Sequence, residues 1–337
     1  MSKDRCRPAP STLACLIVFS LGSSTAQAAN TEDGFLKGKG RTELVLSLAT
    51  ERFDDFRFGS ERMDLPPVFR EIDKRSASVM VKHGLTDDLD LTVQLPYISS
   101  RADGDASLGD LPAQSESGLQ DLSVQLKWRA AQSRDGRFSF LLNGGLTTPA
   151  SDYVENALLS NGNGATALDL HVVFHHQAES GLFNVVQAGY SARTAGVPDA
   201  IFIGTKIGWV GDRFYFGASL DREQSTSGPD IGDPGFTFPA TRVESTRLAV
   251  STHWSFTPVF GASVGIGRYL DGRNLPLTTY YSLGLTFQLD RGGRHRSGAG
   301  PVLGPSTRPS GATTRPTTRP SRGTSTRPAF ATTRPSR

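Results

Sequence analysis

Cysteine is almost absent from this chain of 337 residues, and its two cysteines, Cys6 and Cys15, lie close to the start. Residues 1–28 read as an export signal, with a basic start, an apolar run over 13–21 and the small-residue cleavage site Ala26-Gln27-Ala28. Cleavage after Ala28 removes both cysteines. The remaining chain therefore lacks the residues needed for disulfides and for thiolate metal sites.

Long hydrophobic runs are also missing after the signal, since no stretch of about eighteen consecutive apolar residues follows it. This excludes a membrane-spanning helix. The mean hydropathy of −0.29 is ordinary for a water-soluble protein. A membrane β-barrel gives the same average, because only alternate residues of each strand face lipid. Composition leaves both classes open, so the residue pattern has to decide between them.

Acidic residues are absent from the C-terminal segment 291–337, which contains ten arginines and five copies of Thr-Arg-Pro. The whole chain carries a formal charge of +3, so the part before this segment carries about −7. The composition predicts a disordered, extended tail with no packed core. A solvated linker is one interpretation. Contact with an anionic partner such as the cell wall is the other.

The stretch 277–289 alternates strictly between two kinds of residue. It reads Leu-Thr-Thr-Tyr-Tyr-Ser-Leu-Gly-Leu-Thr-Phe-Gln-Leu, with apolar or lipid-compatible residues at every second position. This is the period of a β-strand with one apolar face, and the stretch is long enough to cross a bilayer when tilted. The same alternation recurs along the chain and predicts these strands: 42–53, 76–83, 89–97, 120–129, 137–146, 167–176, 182–192, 201–209, 213–221, 246–256, 259–270 and 277–289.

Connection lengths separate a membrane barrel from a soluble β-protein, whose strands also alternate. The connection after each even-numbered strand is short, and four connections after odd-numbered strands are long: 54–75, 98–119, 147–166 and 223–245. Short periplasmic turns alternating with long extracellular loops are typical of outer-membrane barrels. We therefore predict an all-β fold over 29–290, an antiparallel transmembrane β-barrel of about 12 strands, with the tail in the periplasm.

The three tryptophans support this orientation. Trp128, Trp209 and Trp254 each fall on the apolar face beside a short turn, and Phe287 lies at the same end of the last strand. Amphipathic rings favour the membrane interface, so these four residues predict an aromatic girdle on the periplasmic side. Core aromatics beneath turns are the alternative.

The inward face of the predicted barrel carries charges of both signs. Isolated buried charges are costly, so such a wall predicts either a water-filled lumen or mutual salt bridges, and the sequence leaves both open. The predicted lumen-lining residues are Glu43, Lys82, Asp90, Asp121, Lys127, Arg129, Asp169, His171, Lys206, Arg213, Asp221, Arg247 and His253.

Two motifs have the spacing of a catalytic or metal-binding site, but neither fits the predicted strands. Gly261-Ala262-Ser263-Val264-Gly265 matches a nucleophile elbow, but it lies within a strand rather than at a strand-to-helix turn. His171 and His175 have the spacing of a metal pair on a helix, yet on a strand they would lie about 13 Å apart. We expect no enzyme activity, no cofactor and no metal. Pro96 is expected at the end of its strand, since proline interrupts a ladder.

Three phrases resemble a known family of bacterial outer-membrane transporters, named for the meta-cleavage pathway of phenol degradation. They are Gly84-Leu-Thr-Asp-Asp-Leu-Asp-Leu-Thr-Val-Gln-Leu-Pro-Tyr97, Gly118-Leu-Gln-Asp-Leu-Ser-Val-Gln-Leu-Lys-Trp128 and Leu146-Thr-Thr-Pro149. The resemblance covers roughly 35–290, and Gln120 and the Arg-Pro tail depart from the family pattern. It implies an outer-membrane barrel for uptake of small organic molecules.

The expected function is passive transport of small organic solutes, aromatic or hydrophobic ones among them, through an outer-membrane channel. The alternative is a structural or anchoring barrel whose basic tail binds a periplasmic partner. The expected partners are outer-membrane lipid, the barrel assembly machinery, small solutes and an anionic cell-wall component contacted by the tail, with no nucleic acid.

Overall fold

The structure is a computed structural model that describes residues 31–53, 55–64, 69–104, 114–153, 155 and 162–289. The predicted signal over 1–28 and the predicted tail over 291–337 lie outside the described residues. No helix among the described residues is long and apolar enough to cross a membrane.

The described residues form fifteen β-strands. Their bounds are β1 Thr42–Phe53, β2 Asp55–Phe58, β3 Glu61–Asp64, β4 Phe69–Gly84, β5 Leu89–Gly104, β6 Gln114–Leu119, β7 Asp121–Gln132, β8 Phe138–Pro149, β9 Ala167–Gln177, β10 Leu182–Arg193, β11 Ala200–Val210, β12 Phe214–Ser225, β13 Glu244–Ser255, β14 Phe260–Arg273 and β15 Thr279–Gln288.

Thirteen of these strands form a single antiparallel sheet that closes on itself. The order is β4-β1-β15-β14-β13-β12-β11-β10-β9-β8-β7-β5-β6, and a further pairing of β4 with β5 completes the ring. Because β6 and β7 are separated only by Gln120 and both pair with β5, they count as one wall strand. The result is the predicted barrel of 12 strands, which removes every sheet edge.

Exposure alternates along the wall, as the sequence pattern predicts. On β9, Leu168, Leu170 and Phe174 are each more than half exposed, while Val173 and His175, on either side of Phe174, are buried. Large apolar side chains exposed all around a closed sheet are normal only where lipid, rather than water, surrounds them. The apolar side of the wall is therefore its outer face.

The last strand closes the barrel by pairing with both β14 and β1. Leu46 lies opposite Leu285, and Glu43 lies opposite Gln288, whose side-chain amide donates to the Glu43 carboxylate at 2.5 Å. The stretch predicted from its alternation is thus the strand that joins the two ends of the sheet.

Several strands extend further toward the extracellular end than predicted. The assignment of 98–119 to a loop was wrong at both ends of that range, because β5 continues to Gly104 and β6, Gln114–Leu119, pairs with it. Pro96 also lies inside β5, and the ladder is interrupted instead on the neighbouring strand, where the Gln120 N–H donates to the Pro96 carbonyl at 2.9 Å. The hairpin β2–β3, within the predicted loop 54–75, was missed as well.

Candidate functional site: an occluded lumen

The segment 31–37, just before β1, lies inside the barrel. The Thr31 N–H donates to the Asp221 carboxylate at 3.0 Å, and the Thr31 hydroxyl donates to the same oxygen. The Glu32 N–H donates to the Gln187 side-chain carbonyl at 2.8 Å. Asp221 and Gln187 are buried on the inner faces of β12 and β10, so the segment begins well within the lumen. We call residues 31–37 the inner segment.

Lys127 fastens the middle of the inner segment to β7. Its ammonium donates to the Glu32 carboxylate at 2.7 Å and to the Asp33 carbonyl at 3.1 Å, and the side chain is almost fully buried. A buried ammonium with two oxygen partners is a strong fastening, since removing it would leave carboxylate charge poorly compensated. This lysine therefore couples the segment to the wall.

The end of the inner segment is held near the periplasmic turns. The Lys37 N–H donates to the Asp90 carboxylate at 2.8 Å, and the Lys37 ammonium pairs with Glu43 at 2.5 Å. Because Asp90 and Glu43 lie near the periplasmic ends of β5 and β1, the segment runs from mid-lumen to the periplasmic exit.

Apolar side chains of the inner segment pack on one side of the inner wall. The Phe35 ring meets His175 edge-on at 4.8 Å and Phe183 at 5.3 Å between centroids. Phe35 and Leu36 cover a buried apolar cluster on β8 to β12, whose members are Leu141, Val173, Phe183, Val185, Val210 and Tyr215. The inner wall is therefore apolar on this side rather than uniformly polar.

Two glycines permit these close approaches. A Cβ added to Gly34 would overlap the His175 ring, and a Cβ added to Gly84 would overlap the Gly38 carbonyl. Gly84 also donates its N–H to the Arg41 carbonyl at 2.9 Å. The backbone before β1 can therefore lie directly against the wall only where these positions lack a side chain.

A second group of packed side chains lies at the extracellular end. The inward-facing Phe53, Ile72 and Ala102, at the ends of β1, β4 and β5, are covered by Phe56 of β2 and by Ile231 of the connection 226–243. Phe56 is 1% exposed, which shows that these loops form a packed core rather than a loose fringe. We call this cluster the outer lid.

Asn274 fastens the outer lid through its side chain. Its amide oxygen accepts from the Gly59 N–H at 2.7 Å and from the Ile231 N–H at 3.2 Å. Its amide nitrogen donates to the Asp230 carboxylate at 2.8 Å, and Asp230 also pairs with Arg273. The hydrogen bond from Arg273 holds the pKa of Asp230 below its usual value.

Some predicted lumen-lining residues converge on the inner segment. Glu43, Asp90, Lys127 and Asp221 bond it directly, and all four are buried. Lys82 and Lys206 add electrostatic attraction for the Asp33 carboxylate. The remaining seven have other surroundings. Five have a hydrogen-bond or ion-pair partner: Asp121 with Tyr153, Arg129 with Asp88, His171 with Gln187, Arg247 with Asp221, and His253 with Ser255. Asp169 is half-buried, and Arg213 is exposed in the turn before β12.

The four predicted girdle residues lie on the outer wall near the short turns. Trp128, Trp209 and Trp254 are 48%, 39% and 56% exposed, and Phe287 is partly exposed beside Phe260. The Trp209 indole N–H donates to the Ser180 carbonyl at 2.9 Å. An interfacial role for these rings stays a prediction.

Sequence reasoning missed both the inner segment and the outer lid. The inner segment reads Thr-Glu-Asp-Gly-Phe-Leu-Lys and has neither a strand nor a helix period. The available signal for such a segment was its composition: two acids, a glycine and two apolar residues shortly before the first strand. Among the described residues, no group of three or more metal-ligating side chains could hold an ion.

The fold and the site define an outer-membrane β-barrel whose lumen is occupied by its own chain. The family described as “Putative MetA-pathway of phenol degradation” matches residues 75–283. Because the match spans more than half of the chain, the protein belongs to this family. No curated protein matches it in sequence.

Several solved structures of outer-membrane barrels are similar to this chain. An outer-membrane channel from Pseudomonas putida F1 matches with a TM-score of 0.61 and 15% identity, over 77% of this chain and 100% of that chain. The translocator domain of the autotransporter NalP from Neisseria meningitidis matches with a TM-score of 0.46 and 10% identity, over 75% and 89% of the two chains. The CymD monoaromatic hydrocarbon channel matches with a TM-score of 0.40 and 9% identity, over 75% and 90%. Only the first score is high enough to support the fold.

Proposed function

We propose that this protein is an outer-membrane channel for passive transport of small organic solutes, aromatic or hydrophobic ones among them. The inner segment keeps the channel narrow at rest, and its displacement opens a path along the inner wall. The predicted lumen-lining residues that lie on the strands form the polar part of that path.

One observation carries the preference for apolar solutes. The inner wall of β8 to β12 is apolar where Phe35 and Leu36 cover it. When the inner segment moves, the rings of Phe183 and Tyr215, which are stacked 5.5 Å apart, become available to a solute. An aromatic or alkyl group would gain about 25 cal/mol per Å² of apolar surface that it buries there. The phenol-degradation description of the family supports the same preference.

Solute flux into liposomes tests this proposal. Benzenesulfonate suits the assay, because its permanent charge slows its passage through bare lipid while its ring can contact the apolar wall. We expect flux above that of protein-free liposomes, and faster flux for a variant lacking residues 31–36. Ribose serves as a polar comparison and should gain less from the deletion. Flux equal to that of protein-free liposomes for both proteins would refute a channel function.

We also propose that the segment 291–337 lies in the periplasm, where its arginines contact an anionic cell-wall component. The Leu289 N–H donates to the Thr42 carbonyl at 2.8 Å, at the end of the barrel that carries the short turns. The chain therefore leaves β15 on that side. Binding of the purified tail peptide to isolated cell wall tests the contact, and a peptide with each arginine replaced by glutamine is the control.

An anchoring barrel is the alternative function. Unchanged flux after removal of residues 291–337, together with loss of cell-wall binding, would assign transport and anchoring to separate parts of one chain. Insertion by the barrel assembly machinery is a further proposal, supported by the alternating final strand.

A further inference from the structure

An open groove of about 540 Å³ lies on the outer wall, at the periplasmic end of β7 to β10. Its lining includes Ala131, Phe138, Phe140, Phe174, His176 and Asn184. The register of β7 against β8 shifts between Arg129 and Ala131, so a bulge bends β7 at this point. The small Ala131 side chain lies opposite the larger Phe140, and the wall is recessed there.

The groove has an apolar floor and a polar lower rim. Phe140, Phe174 and Val186 share one cross-strand row, and Phe138, His176 and Asn184 share the next row toward the periplasm. Phe138 and Phe174 are more than half exposed, so bulky rings border open space. The His176 imidazole and the Asn184 amide hydrogen-bond each other at 3.1 Å, which places polar groups where the apolar band ends.

Two arginines lie beside this rim. Arg134 and Arg137 both belong to the turn between β7 and β8, and both are exposed. Arg137 also pairs with Glu179 of the next turn and, at 3.7 Å, with Asp135 of its own turn. Arginine is well suited to bind phosphate oxygens, and basic groups beside a membrane surface attract lipid headgroups.

We propose that this groove is a binding site for one phospholipid of the periplasmic leaflet. One acyl chain lies against Phe140, Phe174 and Ala131, where the volume is in the range of small-ligand sites. The phosphodiester lies at the rim, within reach of the arginines of the turn and of the Asn184 side-chain N–H, since the His176 N–H already donates to the Asn184 side-chain oxygen. This leaflet of the outer membrane consists of phospholipid, which supplies both parts of such a ligand at this depth.

Native mass spectrometry of the protein, extracted from membranes in a mild detergent, tests the proposal. We expect the wild-type barrel to retain one phospholipid. Ala131→Trp fills the groove and should lower the retained fraction at least tenfold. Ala218→Trp is the matched control, because Ala218 lies on the outer face of β12, away from the groove. It should retain lipid like the wild type.

Three results would overturn the proposal: no phospholipid on the wild type, equal retention by both tryptophan variants, or a wild-type particle of two barrels that Ala131→Trp converts to one. The last result would assign the groove to contact between two copies. Should Ala131→Trp not fold, as judged by heat-dependent gel mobility, the double variant Arg134→Gln, Arg137→Gln replaces it. Unchanged lipid retention by that variant would equally refute the proposed site.

Discussion

Lys127 is the side chain through which the wall holds the inner segment. It contacts two successive residues of the segment, Glu32 and Asp33, from a buried position on β7. Its inward position followed from the alternation of β7, but its partner did not. A strand pattern shows which way a side chain points, whereas the contact joins residues about ninety positions apart in a region without periodicity.

Replacing Lys127 by methionine should release the inner segment more often. The substitution keeps most of the side-chain volume and removes a charged hydrogen bond worth about 1.5–3 kcal/mol, which corresponds to roughly tenfold or more in the equilibrium constant for docking of the inner segment. We expect a higher mean conductance in planar bilayers. Lys74→Met is the control, since Lys74 pairs with Glu51 on the inner wall at 3.6 Å. Equal conductance of the two variants would argue against this role of Lys127.

Asp230 gives the outer lid a dependence on pH. The hydrogen bond from Arg273 lowers the pKa of Asp230 from its ordinary value of 3.8. A lowered folded-state pKa stabilises the lid above that ordinary value, and the contribution is lost as the pH falls through the lowered pKa. Hydrogen exchange of residues 226–243 should therefore accelerate in the wild type only below about pH 3.8.

Asp230→Asn should show fast exchange of 226–243 already at pH 7, because the charge that pairs with Arg273 is gone. Asp212→Asn, in the exposed turn between β11 and β12, is the control and should behave like the wild type. Slow exchange of the Asp230 variant at pH 7 would show that the lid does not depend on this ion pair.

Among the elements, the strands could be predicted from the sequence, whereas the inner segment and the outer lid could not. The first strand was predicted at its observed bounds, Thr42–Phe53, because Leu44, Leu46 and Leu48 alternate with the residues of its inner face. β4 and β5 extend beyond the predicted ends, since outside the bilayer a strand needs hydrogen bonds but no apolar face. The outer lid depends on contacts between three separate connections, the third of which enters through Asn274, and no local sequence pattern records such contacts.

A substitution at Gly34 tests whether the inner segment docks against β9 in the observed geometry. Gly34→Ala places a methyl group where the His175 ring lies, so the segment must shift away from β9. We expect higher conductance than in the wild type and faster proteolysis near residue 34. Gly118→Ala adds the same methyl group at a position where its nearest contact is the Ser151 hydroxyl at 3.9 Å, and it should change neither property. Identical behaviour of the two variants would contradict the docking geometry.

At the scale of the whole molecule, the closed barrel followed from two features of the sequence, alternation and the sorting of connection lengths. The occlusion did not follow, because a wall of mixed charges fits a wet lumen and a salt-bridged lumen equally well. The structure adds that much of this charge faces the protein's own N-terminal residues. On the wall, Lys127, Asp221, Asp90 and Glu43 all have partners in the inner segment.

The orientation of the barrel predicts a common depth for its three tryptophans. All three lie on the outer wall beside short turns, so lipids brominated near the headgroup should quench their fluorescence more than lipids brominated near the chain ends. Trp209→Phe, which retains the outward ring, should lower the signal without changing the depth profile. Stronger quenching from the chain ends would place these rings in the middle of the bilayer and contradict a girdle.

Single-channel conductance of a variant lacking residues 31–36 tests the central claim most directly. This deletion removes Thr31, Glu32 and Phe35 with their contacts, and it keeps Lys37 for its pair with Glu43. Because the inner segment is the main obstruction in this account, the variant should conduct several times better than the wild type at the same salt and voltage. A folded variant that conducts no better than the wild type would contradict the account.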